Sequence, residues 1–314
     1  MSAETGATRG HLFCFGLGFS ALALAPQLLS EGWTVSGTTR SKAKRTELAA
    51  SGIAAFVFDR GRPLDDPAAA LAGVTHLLVS VPPDDLGDPV VGAHRDVITA
   101  AQGLRWIGYL STTGVYGDTQ GAMVDETAPL NPSARRSIRR VEAERSWLEL
   151  WQRHQRPVHV FRLAGIYGPG RSNIDQVRRG EARCIDRPGH VFSRIHVDDI
   201  AAVLRASIAC PHPGRIYNVC DDEAAAPADV VAYACDLLGT APPPLVPYEA
   251  MAERMSAMAR SFWRDNRRVD NTRIKQELGV RLKHPTYRSG LAAIAAAALS
   301  PDVADDGPGA RVAP

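Results

Sequence analysis

The chain has 314 residues, of which 45% are hydrophobic and 22% charged; 36 basic and 34 acidic side chains leave a formal charge of +2. That length can bury one large core or two modest ones, and the even charge balance argues against nucleic acid as the main partner. No run approaches 18 apolar residues without polar interruption and the start MSAETGATRG is unlike a secretory leader, so a cytoplasmic protein with no membrane partner is expected.

In chain order, HLFCF (11–15) reads as a buried strand, and GLGFSA then opens a helix through Leu29. Pro26 conflicts with that helix, where an interior proline costs roughly 3 kcal/mol, and a kink is expected there. Further strands are expected over 33–37, 53–58, 76–81 and 107–110, with helical or loop segments at 41–50, 67–72 and 90–103 between them. Strands alternating with helices imply parallel strands joined by crossovers. A long helix should cover 132–154, carrying an apolar stripe of Val141, Trp147, Leu148 and Trp151. Strands at 158–163, 192–195 and 215–219 follow, with a helix over 201–209 and Asp198 or Asp199 as its cap.

Beyond residue 220, APPPLVP (241–247) must be extended. The segment 251–263 reads as one methionine-rich helix, whose methionines fit either core packing or a binding groove. The tail 301–314 is expected to be flexible. The five cysteines lack metal or redox spacing and read as core thiols, and no metal site is expected. The fold class is α/β: a Rossmann-type doubly wound parallel sheet with a smaller, interleaved C-terminal substrate domain. The nucleotide domain takes 9–165 and returning segments near 190–222; the substrate side takes 166–189 and 223–300.

Gly16-Leu17-Gly18-Phe19-Ser20-Ala21 follows the first strand and opens the first helix. The first glycine permits the turn, the second lets backbone approach a pyrophosphate, and the small Ala21 lets helix and strand pack closely. Amides at the helix start, including those of Phe19 and Ser20, then face the phosphates. After the second strand comes Thr38-Thr39-Arg40-Ser41-Lys42, without the carboxylate that would bind a ribose 2'-hydroxyl. Arg40, with the hydroxyls of Thr39 and Ser41, suits a 2'-phosphate, so NADP is expected over NAD. Asp59 is a candidate for the adenine edge, and Ser80, Val81 and Pro82 for the adenosine and pyrophosphate.

LSTTGVYGD (110–118), FRLAGIYGPG (161–170), RIHVDDIA (194–201) and IYNVCDDE (216–223), in this order, resemble the extended short-chain dehydrogenase/reductase family. The wording of RIHVDD and of 267–291 is similar to an atypical, epimerase/dehydratase-like subgroup that lacks the usual active-site pair. The resemblance implies that Thr112 orients a substrate oxygen. It also implies a catalytic tyrosine and a lysine, four apart on the long helix, with a glutamate four beyond. Anchored on Glu144, those two positions are Arg136 and Arg140. Arg140 retains the charge for a nicotinamide ribose contact. Arg136 cannot exchange a proton, because its pKa stays above about 12, but can stabilise an oxyanion.

Arg135, Arg136, Arg139 and Arg140 form either a solvated helix face or, if they face the cleft, a site for an anionic small-molecule substrate. Tyr167 or water is the candidate proton relay. His196 is expected to anchor the second domain, and Tyr116 to be structural. Trp147 and Trp151 fit either a homodimer through the long helix 132–154 or the monomer core. The expected function is an NADP-binding reductase or epimerase/dehydratase-like protein acting on a carbonyl or sugar-like substrate. The alternative is a catalytically inactive NADP-binding regulatory module.

Overall fold

The structure, a computed structural model, describes residues 9–297; the tail 301–314 lies outside them. Seven described strands form the main sheet: β1 (His11–Phe15), β2 (Thr34–Thr39), β3 (Ala54–Val57), β4 (His76–Val79), β5 (Trp106–Thr112), β6 (Val158–Leu163) and β7 (Ile216–Val219). Their order is β7-β6-β5-β4-β1-β2-β3, and every pairing is parallel. The inner strands are apolar almost throughout because both faces of the sheet are covered. Alternate residues of β1 divide between two cores. Leu12 and Cys14 join the first helix (Phe19–Ser30) and helix Val197–Ala209; Phe13 and Phe15 join helix Pro89–Ala100 and the long helix Arg135–His154.

After β3 the chain crosses back to lay β4 beside β1. The strand order reverses there, and open α/β sheets bind ligands beyond the strand ends at such a switch point. The turn after β1 and residues 80–83 after β4 flank this crevice. A smaller layer has its own core of Tyr167, Ile174, Val230, Tyr287 and Leu291.

Several sequence expectations need correction. Residues 272–282 were assigned to the substrate side, but Ile274, Leu278 and Val280 pack into the first helix's core. The long helix starts at Arg135, not 132, because Ala134 is extended and the Ser133 hydroxyl donates to Asp265 instead of capping. The 201–209 helix begins at Val197, with His196 as its N-cap; Nδ1 of that ring accepts the Asp198 amide. Asp199 instead accepts the amides of Lys283 and His284.

The 251–263 segment is two helices, Tyr248–Ala252 and Ala257–Arg264, because the Ser256 side chain caps the second. The first helix runs through Pro26, whose missing N–H falls on an exposed position. Cys210 is exposed at a helix end rather than a core thiol. Trp147 belongs to the monomer core, fully buried with Nε1 donating to Asp88. No described helix is long and apolar enough to cross a membrane.

Candidate functional site

The turn after β1 is held from both sides. Thr38 Oγ1 of β2 accepts the Gly16 amide at 2.9 Å, and Ser80 beyond β4 donates to the Gly16 carbonyl at 2.7 Å. Gly16 has φ +92°, and a Cβ there would lie 2.6 Å from Ser80 Oγ. A Cβ on Gly18 would meet nothing within 4 Å. The space above Gly18 is therefore open, and the first helix has neither a side-chain cap nor an acid in its first turn. Unclaimed amides and open space together fit a pyrophosphate. Phe19 lies beneath the Arg171 guanidinium at 5.6 Å, which brings a further cation to the phosphate end.

At the ribose end, β2 runs to Thr39, and Arg40 is exposed beyond it with no acid paired to its guanidinium among the described residues. Ser41 caps the next helix by accepting the Lys44 amide, and Thr39 Oγ1 accepts the Ser41 amide. Asp59 is engaged by Arg62, whose hydrogen bond lowers the carboxyl pKa. That leaves Asp59 less to offer an adenine edge than its position suggests. Val81 packs near Gly16, and Pro82 lines the cleft.

The long helix sorts its arginines. Arg135 and Arg139 both pair with Asp85 away from the cleft, whereas Arg136 and Arg140 line it. Arg140 donates to Leu110 O at 2.7 Å and Tyr109 Oη at 3.0 Å, which fixes it over the end of β5. Arg136 makes no ion pair among the described residues; its guanidinium lies 3.6 Å from the centroid of Phe262. Burial lowers the Arg136 pKa, but an arginine keeps its charge.

Beneath the cleft runs a network that sequence reasoning missed. Glu144, used only as an anchor, pairs with Arg162 of β6 at 2.8 Å, both side chains being 3% exposed. Ser111 donates to Glu144, Arg162 to the Tyr116 hydroxyl, and Tyr116 to Asn218. Tyr116 is thus structural, as expected. The signal was the arginine in the buried-strand run VHVFRL.

The cleft has a volume of about 850 Å³ and brings together Thr112, Arg136, Arg140 and Tyr167. Thr112 Oγ1 accepts the Gly114 amide, which leaves its hydroxyl proton free for a substrate oxygen. Tyr167 suits a proton relay poorly. Its hydroxyl points toward Thr286 O and the space left by Gly290, and burial raises its pKa. The sequence reading missed Arg171 and Arg267 as cleft residues and did not place Arg194 there. Arg267 pairs with Asp265. Arg194 donates to the carbonyls of Phe192 and Ala225 and forms no ion pair among the described residues. Nearby Asp221 is buried with one carboxyl oxygen unpartnered, and burial pushes its pKa up to about 8. It therefore does little to neutralise Arg194 at neutral pH.

His196 anchors the smaller layer as expected. Its ring centroid is 5.1 Å from Tyr167 and 4.1 Å from His284. His196, Asp198 and His284 have metal-ligating atoms within 4.8 Å of one another, a grouping invisible in their sequence spacing. Lys283 Nζ already lies 2.8 Å from Asp198, so this group has its own cation.

Residues 16–220 match the profile of the NAD dependent epimerase/dehydratase family. Protein YeeZ of Escherichia coli K12 is 31% identical over 241 residues, spanning 73% of this chain and 84% of that protein. A functionally unknown conserved protein from Silicibacter pomeroyi DSS has a similar structure. Its TM-score is 0.85 at 50% identity, over 93% of this chain and 100% of that one. dTDP-glucose 4,6-dehydratase from Bacillus anthracis, solved in complex with NAD, has a TM-score of 0.73 at 16% identity, over 92% and 96% of the two chains. At that identity the likeness is one of fold alone.

Proposed function

The chain belongs to the NAD dependent epimerase/dehydratase family, and from that premise we propose that it binds NADP and acts on a small anionic carbonyl or sugar-like substrate as a reductase or epimerase/dehydratase. A bound nicotinamide supplies hydride transfer chemistry. Around it, Arg171 suits the pyrophosphate, Arg140 the nicotinamide ribose and Arg40 the 2'-phosphate. That leaves Arg136 and Arg194 in the cleft without an ion-pair partner among the described residues, and this surplus supports the reading most directly. Two cations near a low-dielectric wall favour an anion strongly. Thr112 orients the substrate oxygen, Arg136 stabilises charge on it, and water carries the proton.

A second reading is a regulatory NADP-binding module without turnover. Among the described residues no His, Cys or Lys lines the cleft, Asp265 is paired with Arg267 and Tyr167 is turned away, which leaves no evident proton donor among them. Titration with NADPH and NADH, followed by nicotinamide fluorescence, tests the shared premise. NADPH should bind more tightly, and Arg40→Ala should remove about tenfold or more of that preference, or ~1.4 kcal/mol. Gly18→Val should weaken both cofactors while leaving the fold intact. Equal affinity for both cofactors would overturn the NADP assignment. Oxidation of NADPH by anionic carbonyl compounds then supports the enzyme; tight binding without hydride loss supports the module.

A further inference from the structure

Helix Ala257–Arg264 presents two unlike faces. Trp263 is turned inward, with its ring 5.4 Å from both His190 and Tyr248. Met258 and Phe262, four apart and so on one side, are 67% and 54% exposed and line the same cleft as Arg136 and Arg194. Exposed apolar groups of this size on a cleft wall signal a ligand surface. Leu163, Ile166, Phe192 and Val269 extend the apolar lining. The cation lies directly against this wall, since the Arg136 guanidinium is 3.6 Å from the Phe262 ring centroid.

We propose that the substrate of this cleft is an amphiphilic anion: a carboxylate or phosphate group at Arg136 and Arg194, joined to an acyl or aryl body that covers Met258 and Phe262. This rests on the reading that the cleft takes an anionic substrate beside the dinucleotide. Charge alone would be satisfied by a small hydrophilic anion, but such a ligand would leave both apolar side chains wet. An uncharged apolar ligand would leave both guanidiniums unpaired. A body seated on Phe262 also stays in contact with Arg136, so the two halves of the ligand are read at adjoining points.

The test is calorimetric titration of the NADPH-saturated full chain with methyl, hexyl and decyl phosphate, kept below micelle-forming concentrations. Hexyl phosphate should bind at least about tenfold tighter than methyl phosphate, as several methylene groups leave water. The double variant Met258→Ser/Phe262→Ser should lose that gain while still binding methyl phosphate. Arg136→Met should weaken hexyl phosphate at least about tenfold while leaving hexanol unchanged, and an unchanged affinity for hexyl phosphate would overturn the assignment of its phosphate to Arg136. Equal binding of all three phosphates overturns the amphiphile and spares the anionic site. Failure to bind any of them, methyl phosphate included, overturns the anionic site itself. Sedimentation with anionic phospholipid vesicles supplies a further arm: Phe262-dependent binding to vesicles in place of soluble alkyl phosphates would assign this face to a membrane and overturn the proposal.

Discussion

Two charged regions hang from the same long helix and are built in opposite ways. Under its middle, Glu144 meets Arg162 in a sealed network where every partner is protein. Near its start, Arg136 faces a cleft with an aromatic ring against it and no ion pair among the described residues. Burying a charge costs several kcal/mol unless a partner and hydrogen bonds offset it, so the interior arginine had to be matched within the chain. The cleft arginine keeps access to solvent and can remain unmatched until a ligand arrives. The difference separates a charge matched inside the fold from one left open on a cleft wall, where the proposed substrate would meet it.

The strongest way to break this comparison is to remove one charge from each region. Glu144→Ala should lower unfolding stability in urea by about 3–5 kcal/mol, because Arg162 is left buried and uncompensated. Arg136→Met should leave stability within about 1 kcal/mol, losing only a cation–π contact. Comparable losses in the two variants would erase the distinction.

Asp221 sharpens the comparison, because it is an interior acid near a cleft arginine. Its folded pKa is raised to about 8 from the ordinary 3.8. The fold thus holds a proton that the unfolded chain has released, and stability falls as pH rises from about 4 to 8. Asp221→Asn should remove that slope and gain on the native protein by roughly 3–4 kcal/mol between pH 5 and 8. Denaturation curves at the two pH values decide it; a variant with the unchanged slope would place the proton elsewhere. The smallest effect belongs to Asp85, whose pairs with Arg135 and Arg139 lie at the surface. Asp85→Ala should move stability by no more than about 0.5 kcal/mol, and high salt should shrink even that.

The phosphate turn was legible in sequence because its glycines sit between an apolar strand and a helix, a local arrangement that fixes their role. The reading of Arg136 and Arg140 as standing where a tyrosine and a lysine are usual came from the resemblance of the flanking motifs, anchored on Glu144, and not from local spacing alone. The split of four neighbouring arginines was not. It depends on Asp85, some fifty residues away in the chain, and on how far the helix has turned by Arg135. Phe262 as a cleft residue was also hidden, since one continuous helix over 251–263 would aim its side chains differently. The break at Ser256 sets which face meets Arg136. That Arg194 forms no ion pair among the described residues was hidden too, since it depends on how deeply Asp221 is buried, which sequence does not encode locally.

The packing of Ile274, Leu278 and Val280 against Leu24 and Leu204 has a consequence for synthesis. A chain emerging from the ribosome exposes the first helix and the early strands long before these three side chains exist to cover them. Until residues 274–280 have been made, an apolar strip stays open to water and to other nascent chains. A core opened by the first strand and helix thus waits about 250 residues for the side chains that close it.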